Sequence, residues 1–105
     1  LDIQEGTFKA ILVTTGRKTG KEHAVEIRAV YYNDKFYFSR RNPDSDWLKN
    51  ALANKNVKIE YLGDTIPGVA SLVHDQELCK KISQMKYSDK RSEESRVVLE
   101  VIPCG

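Results

Sequence analysis

Thr14-Thr15-Gly16-Arg17-Lys18-Thr19-Gly20-Lys21-Glu22-His23 decides how the rest of the chain is read. It joins two strand-like runs and gathers three cations and two glycines into one tight turn, with no acid before Glu22. Glycines let backbone N–H groups approach a ligand closely. Cations form charge-assisted hydrogen bonds to anions, worth roughly 1.5–3 kcal/mol each when well made. The turn therefore reads as a phosphate cradle; the competing reading is a solvated basic hairpin. A P-loop is rejected, because one residue is missing between the glycines and Glu22 stands where Ser or Thr would hold magnesium. A strand follows the turn, where a P-loop needs a helix.

Working outward, residues 7–15 alternate Phe8, Ala10 and Leu12 with Lys9, Ile11 and Val13, a strand apolar on both faces toward its end. Residues 23–32 are β-branched and aromatic and give a second strand. Asn33-Asp34 forms a two-residue turn into a third strand at 35–39. Pro43 breaks the pattern, and Asp44 or Ser45 caps a helix to about Asn54, with Trp47, Leu48, Ala51 and Leu52 on its apolar side. Residues 57–62 alternate again, and Gly63-Asp64 turns the chain into a strand at 65–74. Pro67 and Gly68 inside that strand predict an edge position or a bulge. Asp75 caps a second helix with Leu78, Ile82 and Met85 inward; a polar loop from Tyr87 to Ser95 leads to a last strand at 96–102.

The expected fold is mainly β: six strands and two short helices in the order β-β-β-α-β-β-α-β, in a single domain spanning 1–105. Tight turns make the sheet mostly antiparallel. Strands apolar on both faces, with few residues to cover them, favour a closed or partly closed barrel.

Lys and Arg outnumber Asp and Glu by 17 to 15, too small an excess for a nucleic-acid partner. The cations cluster at Arg17 to Lys21, at Arg40-Arg41 and at Lys80-Lys81, which suits a small anion better; the last pair is assigned to a solvated helix face. No apolar run is long enough for a bilayer, and no leader pattern is read, so no membrane association and a cytoplasmic location are expected. Cys79 and Cys104 have no metal or redox spacing and are read as free thiols. No nucleophile elbow, catalytic dyad or metal-ligand spacing is found, so neither a catalytic residue nor a metal site is named.

The turn from Thr15 to Lys21 resembles the Thr-Gly-Arg-Lys-Ser/Thr-Gly-Lys signature of the deazaflavin-dependent nitroreductase family. That family lies within the split β-barrel superfamily that includes pyridoxamine phosphate oxidases. The stretch Asp46-Trp47-Leu48-Lys49-Asn50-Ala51-Leu52-Ala53-Asn54 is similar to its Trp-x-x-Asn-Leu-x-Ala-Asn-Pro helix, and the likeness runs through Val57 to Gly63 and Ile66 to Val73. The resemblance implies a six-stranded split barrel that binds FMN or a deazaflavin coenzyme (F-420 type). It also implies a homodimer with cofactor at the interface, and hydride transfer to a small organic acceptor.

By position, the resemblance gives Arg17, Lys18 and Thr19 the phosphate, with Lys21 and His23 as outer contacts. Ser39 and Arg40 fall near the ring, and Trp47 and Asn50 lie on the closing helix. Each has a plainer reading: Trp47 as core, Asn50 as a backbone partner, Arg40 and Arg41 as surface charge, His74 as structural. His23 stands where the family has Arg, and a neutral imidazole grips phosphate less strongly. Arg40-Arg41 replace small residues, Lys55 replaces a proline, and Tyr87 is the one tyrosine in a shortened pocket segment. These departures keep a second class open, a non-catalytic flavin- or haem-binding carrier or sensor. A third reading, a nucleic-acid-binding barrel, would use Tyr31, Tyr32, Phe36, Tyr37 and Phe38 as a stacking surface.

Overall fold

The computed structural model describes residues 3–40, 45–86 and 97–104. Arg41, Asp44, Tyr87 and the loop expected up to Ser95 lie outside the described residues. The elements are β1 (Gly6–Thr15), β2 (Glu22–Tyr32), β3 (Lys35–Arg40), α1 (Asp46–Ala53), β4 (Asn56–Tyr61), β5 (Asp64–Leu72), α2 (Gln76–Lys86) and β6 (Val97–Pro103), in the expected order. The strands close an antiparallel barrel ordered β1-β2-β3-β6-β5-β4.

Alternation fixes which side chains fill the barrel. Ala10, Leu12, Ala29, Tyr31, Phe36, Phe38, Ile59, Ala70, Leu99 and Val101 form the interior, and α1 adds Trp47, Leu48 and Ala51. Leu52, expected on the same stripe, is 37% exposed and lies outside the cluster. The opposite face of β2, β3 and β6 presents Val30, Tyr37 and Val98, which α2 covers with Ile82, Leu78 and Met85. Asp75 caps α2 as expected, its Oδ1 accepting from the N–H groups of Glu77 and Leu78. The five aromatics considered as a stacking surface are committed elsewhere: Tyr31, Phe36, Tyr37 and Phe38 are buried and Tyr32 is half-buried.

Local expectations fail at four places. Ser45 takes the N-cap position of α1 without a side-chain cap, and its hydroxyl accepts from Arg40 Nε at 3.1 Å. The hairpin after β4 turns at Leu62 (φ 52°) and Gly63 (φ 81°), one residue earlier than expected, leaving Asp64 paired with Tyr61. β5 is neither an edge nor bulged, since it pairs continuously with β4 and joins β6 on its other side. Pro67 is tolerated because it falls where β6 ends; its carbonyl accepts from Cys104 and its missing N–H forfeits at most one terminal bond. Gly68 answers a close approach, as a Cβ there would lie 2.5 Å from Val101 Cγ1. Finally, His74 lies beyond the end of β5 and is exposed.

Two seams of the barrel are paired over only three residues each, and one of them joins β1 to β4 at 11–13 against 58–60. β2 pairs with β1 along most of its length but with β3 only at 30–32 against 35–37. Beyond those pairs the β1–β2 hairpin and its basic turn diverge from the end of β3. That divergence opens the cleft described next.

Candidate functional site

The basic turn is built by its own backbone. Gly16 N–H donates to Lys21 O at 2.7 Å, and Gly20 N–H donates to Gly16 O at 2.9 Å, with Gly20 at φ 72°. Lys21 N–H reaches Thr19 Oγ1 at 3.3 Å, and Arg17 N–H reaches Asn50 Oδ1 at 3.2 Å. Four turn N–H groups are thus spent within the protein. Among the described residues, those of Lys18 and Thr19 at the tip have no intrachain acceptor. Gly16 and Gly20 thus donate internally and shape the turn. Gly16 also makes room: a Cβ there would lie 2.7 Å from His23 Nε2 and 2.8 Å from Thr19 Oγ1. His23 and Thr19 close over it.

Helix α1 fastens the turn. Asn50 follows Trp47 by three positions, so both sit on the helix face turned to the barrel end. Asn50 is 5% exposed, and its Oδ1 also accepts from the Arg17 guanidinium Nη1 at 2.7 Å. Arg17 Nη2 approaches Asp46 Oδ1 at 3.4 Å, so the guanidinium lies between a buried amide and an exposed carboxylate. Trp47 packs edge-on to Phe38 with ring centroids 6.4 Å apart.

Gly16, Arg17, Lys18, Thr19, His23 and Val25 from the hairpin, Arg40 from β3, and Ser45, Asp46, Trp47 and Asn50 from α1 and its approach line a cleft of about 660 Å³. Its volume falls in the range of small-molecule sites. Three cations stand around it, and Asp46 is the one acid among the described lining residues. Beneath the turn, the Thr14 hydroxyl is buried without a hydrogen-bond partner among the described residues.

Of the sequence-derived site residues, Arg17, Lys18, Thr19, His23, Arg40, Trp47 and Asn50 share this cleft. Lys21 stands exposed on the turn, outside the lining. Ser39 is turned to the other face of β3, where its Oγ and carbonyl accept from Lys86 Nζ at 3.2 Å each. Parity along β3 carried that information, since Ser39 shares its face with Tyr37 and the interior face belongs to Phe36 and Phe38. Sequence reasoning missed Val25, two residues after His23 on one strand face, and Asp46, beside Trp47 in the first turn of α1.

The fold has solved relatives at low identity. A pyridoxamine 5'-phosphate oxidase from Listeria innocua, identified as such only provisionally, superposes with a TM-score of 0.78 at 17% identity, over 92% of this chain and 84% of that one. An F420-H2 dependent reductase (FDR-A) gives 0.70 at 22% identity, over 89% of this chain and 92% of that one. A structure described as a domain-swapped dimer gives 0.66 at 21% identity, over 89% and 78%. No curated protein matches the chain significantly. The model of the F420H(2)-dependent quinone reductase family matches residues 3–101. The chain belongs to the F420H(2)-dependent quinone reductase family.

Proposed function

We propose that this protein is an oxidoreductase that binds a deazaflavin coenzyme in the cleft between the basic turn and α1, and passes a hydride from it to a quinone-type acceptor. The observation that carries the reading is the union of Arg17, Lys18 and Arg40 with Trp47 and Val25 around one cleft of about 660 Å³. Cations together with an indole and a valine around one cleft suit a molecule with an anionic group and a flat ring. Family membership supports the deazaflavin over FMN and a quinone as acceptor.

When bound, the coenzyme supplies the hydride chemistry itself. The chain's residues would bind and orient it. Arg17 and Lys18 would hold the phosphate through charge-assisted hydrogen bonds. Asn50 holds Arg17 in place, and α1 carries both Asn50 and Trp47. Val25 and Trp47 would shield one side of the ring from water. No described residue is assigned a proton-transfer role. We further propose a homodimer, supported by the domain-swapped neighbour and by Val69 and Ile102, a cross-strand pair 40% and 45% exposed. Among the described residues, no helix is long and apolar enough to cross a membrane.

The test is a fluorescence titration of coenzyme into the wild type and into the Arg17→Ala/Lys18→Ala double variant. Loss of binding is expected with the fold retained and the thermal midpoint lowered only by the lost Arg17–Asn50 bond, as in Arg17→Ala alone; unchanged affinity refutes the site. Reduced coenzyme reoxidised by a quinone on the protein separates an enzyme from a carrier, in which the bound band persists without turnover.

A further inference from the structure

We propose that Asp46 is a specificity-determining residue that sets the charge of the phosphate the cleft accepts, favouring a singly charged phosphodiester over a phosphomonoester. This rests on the reading of the cleft as a phosphate-bearing coenzyme site and adds to it a choice between ligands.

Asp46 opens α1, and its Oδ1 lies 3.4 Å from Arg17 Nη2. The other terminal nitrogen, Nη1, is fixed at 2.7 Å on Asn50 Oδ1. Asn50 is neutral and buried, so it orients the guanidinium without cancelling its charge. Asp46 is charged and its side chain is 87% exposed, so it competes for one solvent-side donor, on Nη2, that a ligand phosphate would also use. It is also the one acid among the described lining residues. An anion that docks on Arg17 through Nη2 competes with this carboxylate and then remains close to it.

These two effects differ in how they scale. Displacement is the same for any anion, and an exposed pair of this kind is worth a factor of roughly 1.4–5 in affinity. Repulsion grows with ligand charge. At about 5 Å in water each unit of charge facing the carboxylate weakens binding by a factor of about 4. A phosphodiester carries one negative charge, whereas a phosphomonoester carries about −1.5 to −2 near neutral pH. Asp46 therefore handicaps the monoester by an extra factor of about 2–4, largest at low salt where screening is weakest. A neutral residue at this position would remove the handicap and leave Arg17 on Asn50.

The experiment uses a matched pair on one ring: the 5'-phosphate of the deazaflavin nucleoside and the methyl ester of that phosphate, each titrated by fluorescence at low salt. The proteins are the wild type, Asp46→Asn and Asp46→Glu. Asp46→Asn is expected to tighten both ligands, the monoester by about 2–4-fold more than the diester, while Asp46→Glu keeps the wild-type ratio. Thermal midpoints verify that the exposed substitution leaves the fold intact. Equal gains for both ligands, no change, or weaker binding of both overturns the proposal; the last outcome would make Asp46 a support for Arg17. Failure of the wild type to bind either ligand overturns the coenzyme reading and this inference with it, which separates the two failures.

Discussion

Replacing Asn50 by leucine tests whether one buried amide joins the basic turn to α1. Leucine keeps the branching and heavy-atom count and removes the acceptor, though it is larger and a better helix former. The lost bonds are a charge-assisted one from Arg17 Nη1 at 2.7 Å and a longer one from Arg17 N–H at 3.2 Å. Bonds to charged groups contribute about 1.5–3 kcal/mol and neutral ones about 0.5–1.5 kcal/mol. The Arg17 side chain is 28% exposed, so water recovers part of both. A net loss of about 2 kcal/mol is expected, which lowers Tm by roughly 8–16 °C for a domain of this size. Stability alone does not isolate the contact, so Asn50→Leu, Arg17→Ala and the double variant are compared by urea denaturation. Because Arg17→Ala preserves the backbone bond, the cycle reads the guanidinium–amide pair. A coupling of about 1–2 kcal/mol is expected. Additivity within about 0.5 kcal/mol would refute the claim that Asn50 orients Arg17.

Trp47 is 9% exposed and packs on Phe38 while also lining the cleft, so Trp47→Ala is expected to cost about 3–5 kcal/mol by urea denaturation and to weaken coenzyme binding together with it. A fully stable variant that has lost the coenzyme would make the indole a binding group alone. Tyr37 is 2% exposed and donates to Glu100 at 2.9 Å; burial first, then that bond and the carboxylate's charge, push its phenol well above the ordinary range. Above about pH 10 the unfolded chain releases this proton and the native chain retains it, so stability falls as pH rises from there. Urea midpoints at pH 9 and 11 should show a smaller alkaline loss for Tyr37→Phe than for the wild type, and parallel losses would contradict the assignment.

Much of the barrel was legible because alternation and turns are local signals. Asn33 and Asp34 both take positive φ, as a two-residue hairpin turn requires, and Asp75 caps α2. The departures arise where tertiary contacts override local preference. Ser45 has a side chain of the capping type, yet it makes no cap and accepts from Arg40. Pro67 and Gly68 read as an edge, yet chain closure puts them between β4 and β6, and only the end of β6 and the proximity of Val101 make them compatible. At the site, the cations and the α1 residues were readable from their motif. Asp46 was not, because its meaning comes from Arg17, 29 residues away in sequence. Ser39 lies outside the cleft for a simpler reason, its face of the strand.

The incomplete pairing of β2 with β3 has a mechanical side. Past Val13 neither β4 nor β3 pairs with the β1–β2 hairpin, so its outer part is held by its own ladder and by Arg17 on Asn50 and Asp46 of α1. Widening the mouth for a planar guest would break these Arg17 contacts and few others, while the aromatic interior keeps its packing. Compliance would thereby fall at the turn-bearing end of this hairpin, with the rest of the molecule as a stiff frame for it.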